Sequence, residues 1–436
     1  MLFQQDYIVV PSVRSIVADS SHYEAAHRQF PGATMAIING TSNDDLLFVR
    51  LNGDIIYGLE GNDLLITEGL SFATLDGGPG DDGLWLTPFP EMFGPARQNL
   101  LNGGDGNDVF GGTGHANVVN GEAGNDSFEI AGDNNLLNGG EGDDTVGVTD
   151  DAVFHMTGNG NVLNGNEGKD LVGIAGDGNA LDGGDGNDLL AVAGSGNLLS
   201  GGAGNDQFFS DTGEGNTLSG GEGDDVFSGV NFNNNTFNGD GGNDYASAAV
   251  GNNSVLNGGE GDDFLQVGGA HNTLQGGGGN DYLEGFFESA DADPAATNIL
   301  VGGDGDDVLT VFYRGQLTGG EGNDRFDLIH TGAETVITDF QHAARGKCAL
   351  QAEDVLNVRA WLDFENVAVD KPLKALVGQG YLAVNAGANV GGGAATDTVV
   401  QVDTDGRSGA AAPQTIVTLL DTTLTPCGAD MNNWLV

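Results

Sequence analysis

The chain has 436 residues, 77 of them Gly and only 10 Pro, and its 64 acidic against 13 basic side chains give a formal net charge of −51. That glycine content without a proline-bearing triplet period excludes collagen, and a polyanion of this size repels phosphate backbones and anionic lipid heads, which excludes nucleic acid and membrane surfaces as partners. At 39% hydrophobic residues the chain is too apolar for an acidic disordered segment, yet it holds no apolar run long enough to span a bilayer, so no transmembrane segment is expected.

Residues 1–38 form an N-terminal segment. Its apolar patch, Tyr7 to Val10, is too short for a secretory signal peptide, and neither a basic leader nor a small-residue cleavage site accompanies it. His22, Glu24 and His27 stand in the order His-x-Glu-x-x-His, which fails the geometry of a zinc-protease helix.

Residues 39–330 are organised by repetition. The string Gly-Gly-x-Gly-(Asn/Asp)-Asp-x-apolar recurs, clearest in GGDGNDVF ending at Phe110, GGDGNDLL at Leu190 and GGEGDDVF at Phe227. Its terminal aspartates are Asp44, Asp63, Asp82, Asp108, Asp126, Asp144, Asp170, Asp188, Asp206, Asp225, Asp244, Asp263, Asp281, Asp307 and Asp324. Most steps between them are 18 or 19 residues, and three are 26. A second signature, Asn-x-apolar-x-Gly, recurs at Asn99, Asn117, Asn135, Asn161, Asn179, Asn197, Asn216, Asn235, Asn272 and Asn298; in ordinary steps it falls about nine residues after the Asp, as in Asp108 to Asn117 and Asp188 to Asn197.

Each unit therefore has an Asp corner and an Asn corner joined by two short apolar runs. Gly supplies the backbone freedom that tight corners need, and Asn tolerates left-handed geometry. Alternating residues such as Leu190, Val192 and Leu199 point inward onto their equivalents in neighbouring coils. The pattern predicts an all-β fold: a parallel β-roll of about 16 coils with an 18–19-residue period, followed by a β-rich C-terminal cap.

The Asp repeat resembles the GGxGxDxU calcium repeat of the RTX family of type I-secreted bacterial proteins. The resemblance covers residues 39–330 and implies that the fifteen aspartates named above, with backbone carbonyls, bind multiple Ca²⁺ ions shared between adjacent coils. The residue chemistry suits this independently of the name. Ca²⁺ takes hard oxygens, glycine-rich turns expose carbonyls, and no His or Cys column is present for a softer metal. Because the second edge carries Asn in place of Asp, one calcium ladder is expected, with at most fourteen gaps between fifteen motifs. Without metal, the stacked carboxylates would keep the roll unfolded.

The three long steps each add eight residues between an Asp corner and the next Asn corner, giving insertion loops 83–98, 145–160 and 282–297 on one flank. They carry Trp85, Phe89, Met92, Phe93, Phe154, Met156, Phe286 and Phe287, and are expected either to shield that flank or to dock a partner, including a second copy. Residues 331–436 lose the glycine rhythm; TVITDF, EDVLNVRAWLDF and VVQVDTDG resemble the capping and secretion region that follows RTX repeats. This implies export through a type I secretion apparatus and a secreted, extracellular or surface location. Cys348 and Cys427 are as compatible with one disulfide as with two free thiols.

The function expected is a non-enzymatic structural or interaction protein, of surface-layer, extracellular-filament or adhesin type, that folds on calcium outside the cell. The alternatives are a secreted polysaccharide-modifying or hydrolytic enzyme with an unrecognised site, and an ice-binding module. The exposed turn positions Asp105, Glu141, Asp185, Ala203, Glu222, Glu260 and Glu321 are mostly charged, which argues against the last.

Overall fold

The computed structural model describes residues 35–86, 96–147, 156–286, 296–312, 314–330, 335–340, 354–358, 382–388, 397–402 and 414–419. Among them every regular element is a β-strand, and no helix is long and apolar enough to cross a membrane.

One coil illustrates the rest. Leu198–Ala203 runs along one face, the chain turns at the Asp corner, Gln207–Thr212 returns along the other face, and a second turn leads to Thr217–Glu222 of the next coil. Equivalent strands pair in parallel at the register of the repeat: Leu199 lies against Leu181 and Leu218, and Phe208 against Leu190 and Phe227. Fifteen residues in equivalent corner positions, from Asp45 to Asp324, enclose about fourteen turns of this parallel solenoid.

The alternation explains the burial. Leu101, Leu137, Leu163, Leu199, Leu218 and Leu256 face inward from one sheet, and Phe110, Phe128, Leu190, Phe208 and Phe227 from the other, all fully buried. Where the second sheet offers only Ala246, the first supplies Phe237 in place of the usual Leu, and Phe232 enters from the Asn corner. Phe227 stacks on Phe237 at 5.4 Å and meets Phe232 at 4.6 Å, so core volume is kept nearly constant along the axis.

The C-terminal segments extend the first sheet. Thr335–Ile337 pairs with the last regular coil, Gln414–Leu419 runs parallel to it, and Asp397–Val402 and Leu382–Ala388 add antiparallel strands. The second sheet ends on Val355–Asn357. Capping covers the hydrophobic end that a solenoid otherwise leaves open. Of the insertions, residues 87–95, 148–155 and 287–295 lie outside the described residues, with Phe89, Met92, Phe93, Phe154 and Phe287. Their described flanks pack onto the roll: Met156 is fully buried, Phe286 contacts Phe312 edge-on at 6.5 Å, and Trp85 lies over Gly111. Cys348 and Cys427 are also outside the described residues.

Candidate metal centre

The repeat's Asp corners are shaped by glycines, although the position of Gly202 is taken by Glu122, Asn166 or Asp240 in other coils, all at positive φ. Gly202 and Gly204 adopt φ of +113° and +128° in the turn before Asp206, a region that strains side chains with a Cβ. Gly201, five residues before Asp206, is needed for a different reason: a Cβ there would stand 2.2 Å from Asp206 Oδ2 and 2.6 Å from the carbonyl oxygen of Gly220 in the next coil. The carboxylate and the neighbouring coil's carbonyl therefore converge over a glycine α-carbon. The same arrangement recurs at Gly58, Gly77, Gly103, Gly121, Gly139 and onward to Gly302.

The aspartates themselves form a ladder. The backbone N–H of Asp188 donates to Oδ1 of Asp206 at 2.7 Å, that of Asp206 to Asp225 at 2.7 Å, and that of Asp225 to Asp244 at 2.8 Å. Thirteen of these links join Asp63 to Asp324 without a gap, and Asp45 precedes them. Oδ2 is the anomaly. In all fourteen aspartates from Asp63 to Asp324 it is buried and accepts no hydrogen bond. A buried carboxylate oxygen facing only other acceptors is costly unless a cation or a proton reaches it.

The carboxyls respond accordingly. Burial, opposed by the backbone N–H donated to Oδ1 and in most cases reinforced by neighbouring carboxylates, pushes Asp108 and Asp144 up to about 8. Asp82, Asp188, Asp225, Asp263 and Asp307 rise to about 7, and Asp126, Asp170, Asp244, Asp281 and Asp324 to about 6. Asp63 and Asp206 are raised for the same leading reason, burial.

The Asn corner provides an internal control. Its ladder has the same backbone logic: Asn179 N–H donates to Asn197 Oδ1 and Asn197 N–H to Asn216 Oδ1, both at 2.8 Å. There the second side-chain atom is Nδ2, which donates to glycine carbonyls, as Asn197 does to Gly176 at 3.1 Å and Asn216 to Gly194 at 3.0 Å. The two edges differ by one atom, a donor at one and a bare acceptor at the other. A row of divalent cations would supply what the Asp edge lacks, and hard carboxylate and carbonyl oxygens are the donor set that Ca²⁺ selects. The residues present fit calcium.

A second, outer set of stitches runs the opposite way. The residue before each ladder Asp accepts from the next coil's backbone: Asn205 N–H donates to Asn187 Oδ1 at 2.9 Å and Asp224 N–H to Asn205 Oδ1 at 3.0 Å. Lys169 occupies this position in one coil. Its own N–H donates to Asp143 Oδ1 at 2.9 Å, but its side chain offers no oxygen to the coil that follows.

The sequence-expected sites need two revisions in register. Asp44 is exposed and accepts from Asn62 N–H at 3.0 Å, which places it in the outer set. The ladder position belongs to Asp45, whose N–H donates to Asp63 Oδ1 at 2.7 Å and whose own Oδ2 is held by Thr41 Oγ1 at 2.8 Å. The spacing of five from Gly40 to Asp45, equal to that from Gly58 to Asp63, was the available signal. At the other end Asp354, buried, accepts from Asp324 N–H at 3.1 Å and extends the ladder across a 30-residue step. Only its Asp-x-apolar context marks it, because the glycines are gone.

A parallel solenoid with one carboxylate-lined corner and one amide-lined corner defines a repeat protein built around a line of cation sites. Residues 37–69, 96–128, 111–146, 182–215, 231–255, 257–285 and 295–310 match the RTX calcium-binding nonapeptide repeat, so the chain carries several copies of that repeat. No curated protein matches the chain.

Proposed function

We propose that this is a secreted calcium-dependent structural or interaction protein, of surface-layer, filament or adhesin type, whose roll folds when Ca²⁺ fills the Asp edge outside the cell. The observation that carries the reading is the row of fourteen buried Oδ2 atoms without a donor, beside an Asn edge where the matching Nδ2 of Asn179, Asn197 and Asn216 donates to a backbone carbonyl. Asp63 to Asp324 would hold the ions through Oδ2, together with the glycine carbonyls that face them; the ions neutralise the ladder and tie each coil to the next. Weak extracellular-type sites, with dissociation constants on the order of 10⁻⁴ to 10⁻³ M, stay empty in a cytosol and fill outside, which supports type I export of an unfolded chain. Domain limits of 1–38, 39–330 and 331–436 accompany the proposal.

The molecule is not proposed as an enzyme, because its buried carboxylates are consumed by the repeat. The insertion loops 83–98, 145–160 and 282–297 remain the proposed docking flank for a surface partner or second copy. Equilibrium dialysis combined with far-UV circular dichroism tests the calcium reading: about fourteen ions bound in step with the rise of β signal is the expected result. Full β signal in chelator refutes it. Electron microscopy of the calcium-loaded protein tests the structural role, with ordered sheets or fibres expected and single dispersed rods counting against it.

A further inference from the structure

Nine Asn-Gly dipeptides occur in the chain, at Asn39, Asn52, Asn102, Asn120, Asn138, Asn159, Asn164, Asn238 and Asn257. Seven of them share one outward column of the first sheet: Asn39, Asn102, Asn120, Asn138, Asn164, Asn238 and Asn257 occupy equivalent register positions, interrupted by Tyr57, Asp76, Asp182, Ser200 and Ser219. Two demands meet there. The outward column is an amide ladder, in which Asn120 Nδ2 donates to Asn102 Oδ1 at 2.8 Å, Asn138 to Asn120 at 2.7 Å and Asn164 to Asn138 at 2.7 Å. The next residue must be the glycine over which a ladder carboxylate folds, as Gly103 does for Asp108 and Gly258 for Asp263.

We propose that this column is a site of covalent modification whose protection depends on the folded roll, so that prolonged loss of the fold becomes irreversible. The reaction needs only water. The Gly nitrogen, giving up its proton, attacks the preceding Asn side-chain carbonyl carbon; a C–N bond forms, and ammonia leaves with that proton. Water then opens the five-membered ring at either carbonyl, giving aspartate or isoaspartate.

In the roll the attack is blocked twice. The glycine nitrogen is engaged across the sheet, as in Gly40 N–H to Tyr57 O at 2.8 Å and, one rung on, Gly58 N–H to Asp76 O at 2.8 Å. The preceding carboxamide is held as well, by the amide ladder, at Asn102, Asn120, Asn138, Asn164, Asn238 and Asn257. The two corner copies are similarly tied, Gly53 N–H to Ser71 O and Gly160 N–H to Asp177 O, both at 3.1 Å. An unfolded chain has neither restraint.

The products differ in consequence. Aspartate is accepted, because Asp76 and Asp182 already stand in the column. Isoaspartate adds a methylene to the main chain immediately before the corner glycine. It slips the two-residue alternation of the strand and displaces the glycine beneath the carboxylate.

The inference rests on the calcium reading only for its trigger, and the test separates the two. The full chain is incubated in mildly alkaline buffer in three portions: millimolar calcium, calcium with denaturing urea, and chelator. Peptide mass spectrometry scores exchange of NH₂ for OH, and an isoaspartate assay scores the rearranged product. Each portion is then returned to calcium, and its recovered β signal is measured. The expected result is conversion in urea at least about tenfold faster than in folded, calcium-loaded protein, as follows when reaction requires opening. Recovered β signal falls with isoaspartate content. A variant with Asn→Gln at the seven column positions, a change Gln275 already exemplifies in this column, recovers fully after the same urea exposure. Equal conversion in folded and urea-treated protein, or full recovery by isoaspartate-bearing chains, overturns the proposal. A chelated portion that keeps both its fold and its amides overturns the calcium trigger alone.

Discussion

Replacing Asp188, Asp206 and Asp225 by Asn converts three rungs of the acidic ladder into copies of the amide one. Each substitution keeps the Oδ1 that accepts the preceding backbone N–H at 2.7–2.8 Å, and puts an N–H donor where an unsatisfied oxygen now sits. The gain in the metal-free state follows from the carboxyls it removes. Asp188 and Asp225 are raised from 3.8 to about 7, which at about 1.4 kcal/mol per unit is roughly 4 kcal/mol each when ionised. Discounted by about half for solvent screening at the corner, that is about 2 kcal/mol each, and Asp206 adds in the same direction. In calcium the sign reverses, because three ligand oxygens are lost. The triple variant should therefore show more residual β signal in chelator at about pH 8, and a shallower rise of that signal with calcium concentration, since fewer ions bind on folding. A titration as steep as that of the natural chain, with no extra signal in chelator, would refute the role given to Oδ2.

The remaining expectations concern single positions and pH. Gly183→Ala places a methyl 2.3 Å from Asp188 Oδ2 and should raise the calcium needed for folding severalfold. Gly196→Ala, with open space around it but φ of +68°, should cost about 1–2 kcal/mol in urea melts without changing the number of ions bound. Lys169→Asn supplies the missing outer stitch and should exceed Lys169→Ala by about 1 kcal/mol in calcium, measured by urea unfolding. In chelator, the ladder carboxyls are raised in the fold above their unfolded values, so the folded state binds more protons. Metal-free stability should then increase as pH falls from about 8 to 5, while calcium-loaded protein changes little over that range; a metal-free signal that falls on acidification contradicts the ladder's burial.

Much of this architecture was legible in the sequence because a solenoid writes each turn in nearly the same letters. The period, the two kinds of corner and the inward Leu and Phe columns all follow from spacing. The ends were harder. Asp44 and Asp45 are adjacent and equally acidic, and only the five-residue distance from Gly40 separates them. Asp354 has lost the glycines that announce a corner, so its place in the ladder is set by tertiary pairing of Val355–Asn357 with Arg325–His330. The opposite running of the inner and outer stitches could not be read either, because composition gives residue types at a corner but not which neighbouring coil each side chain addresses.

That opposition has a consequence for how the rod can grow. At the Asp corner the windings from Asp63 to Asp324 lend a backbone proton forward through the inner row and receive one from behind; through the outer row, interrupted at Lys169, the traffic is reversed. A finished winding thus offers both a proton and a lone pair to whichever neighbour arrives next. Assembly has no built-in arrow at this edge, and a chain threaded through a narrow exit by either terminus meets the same template once its first winding has closed.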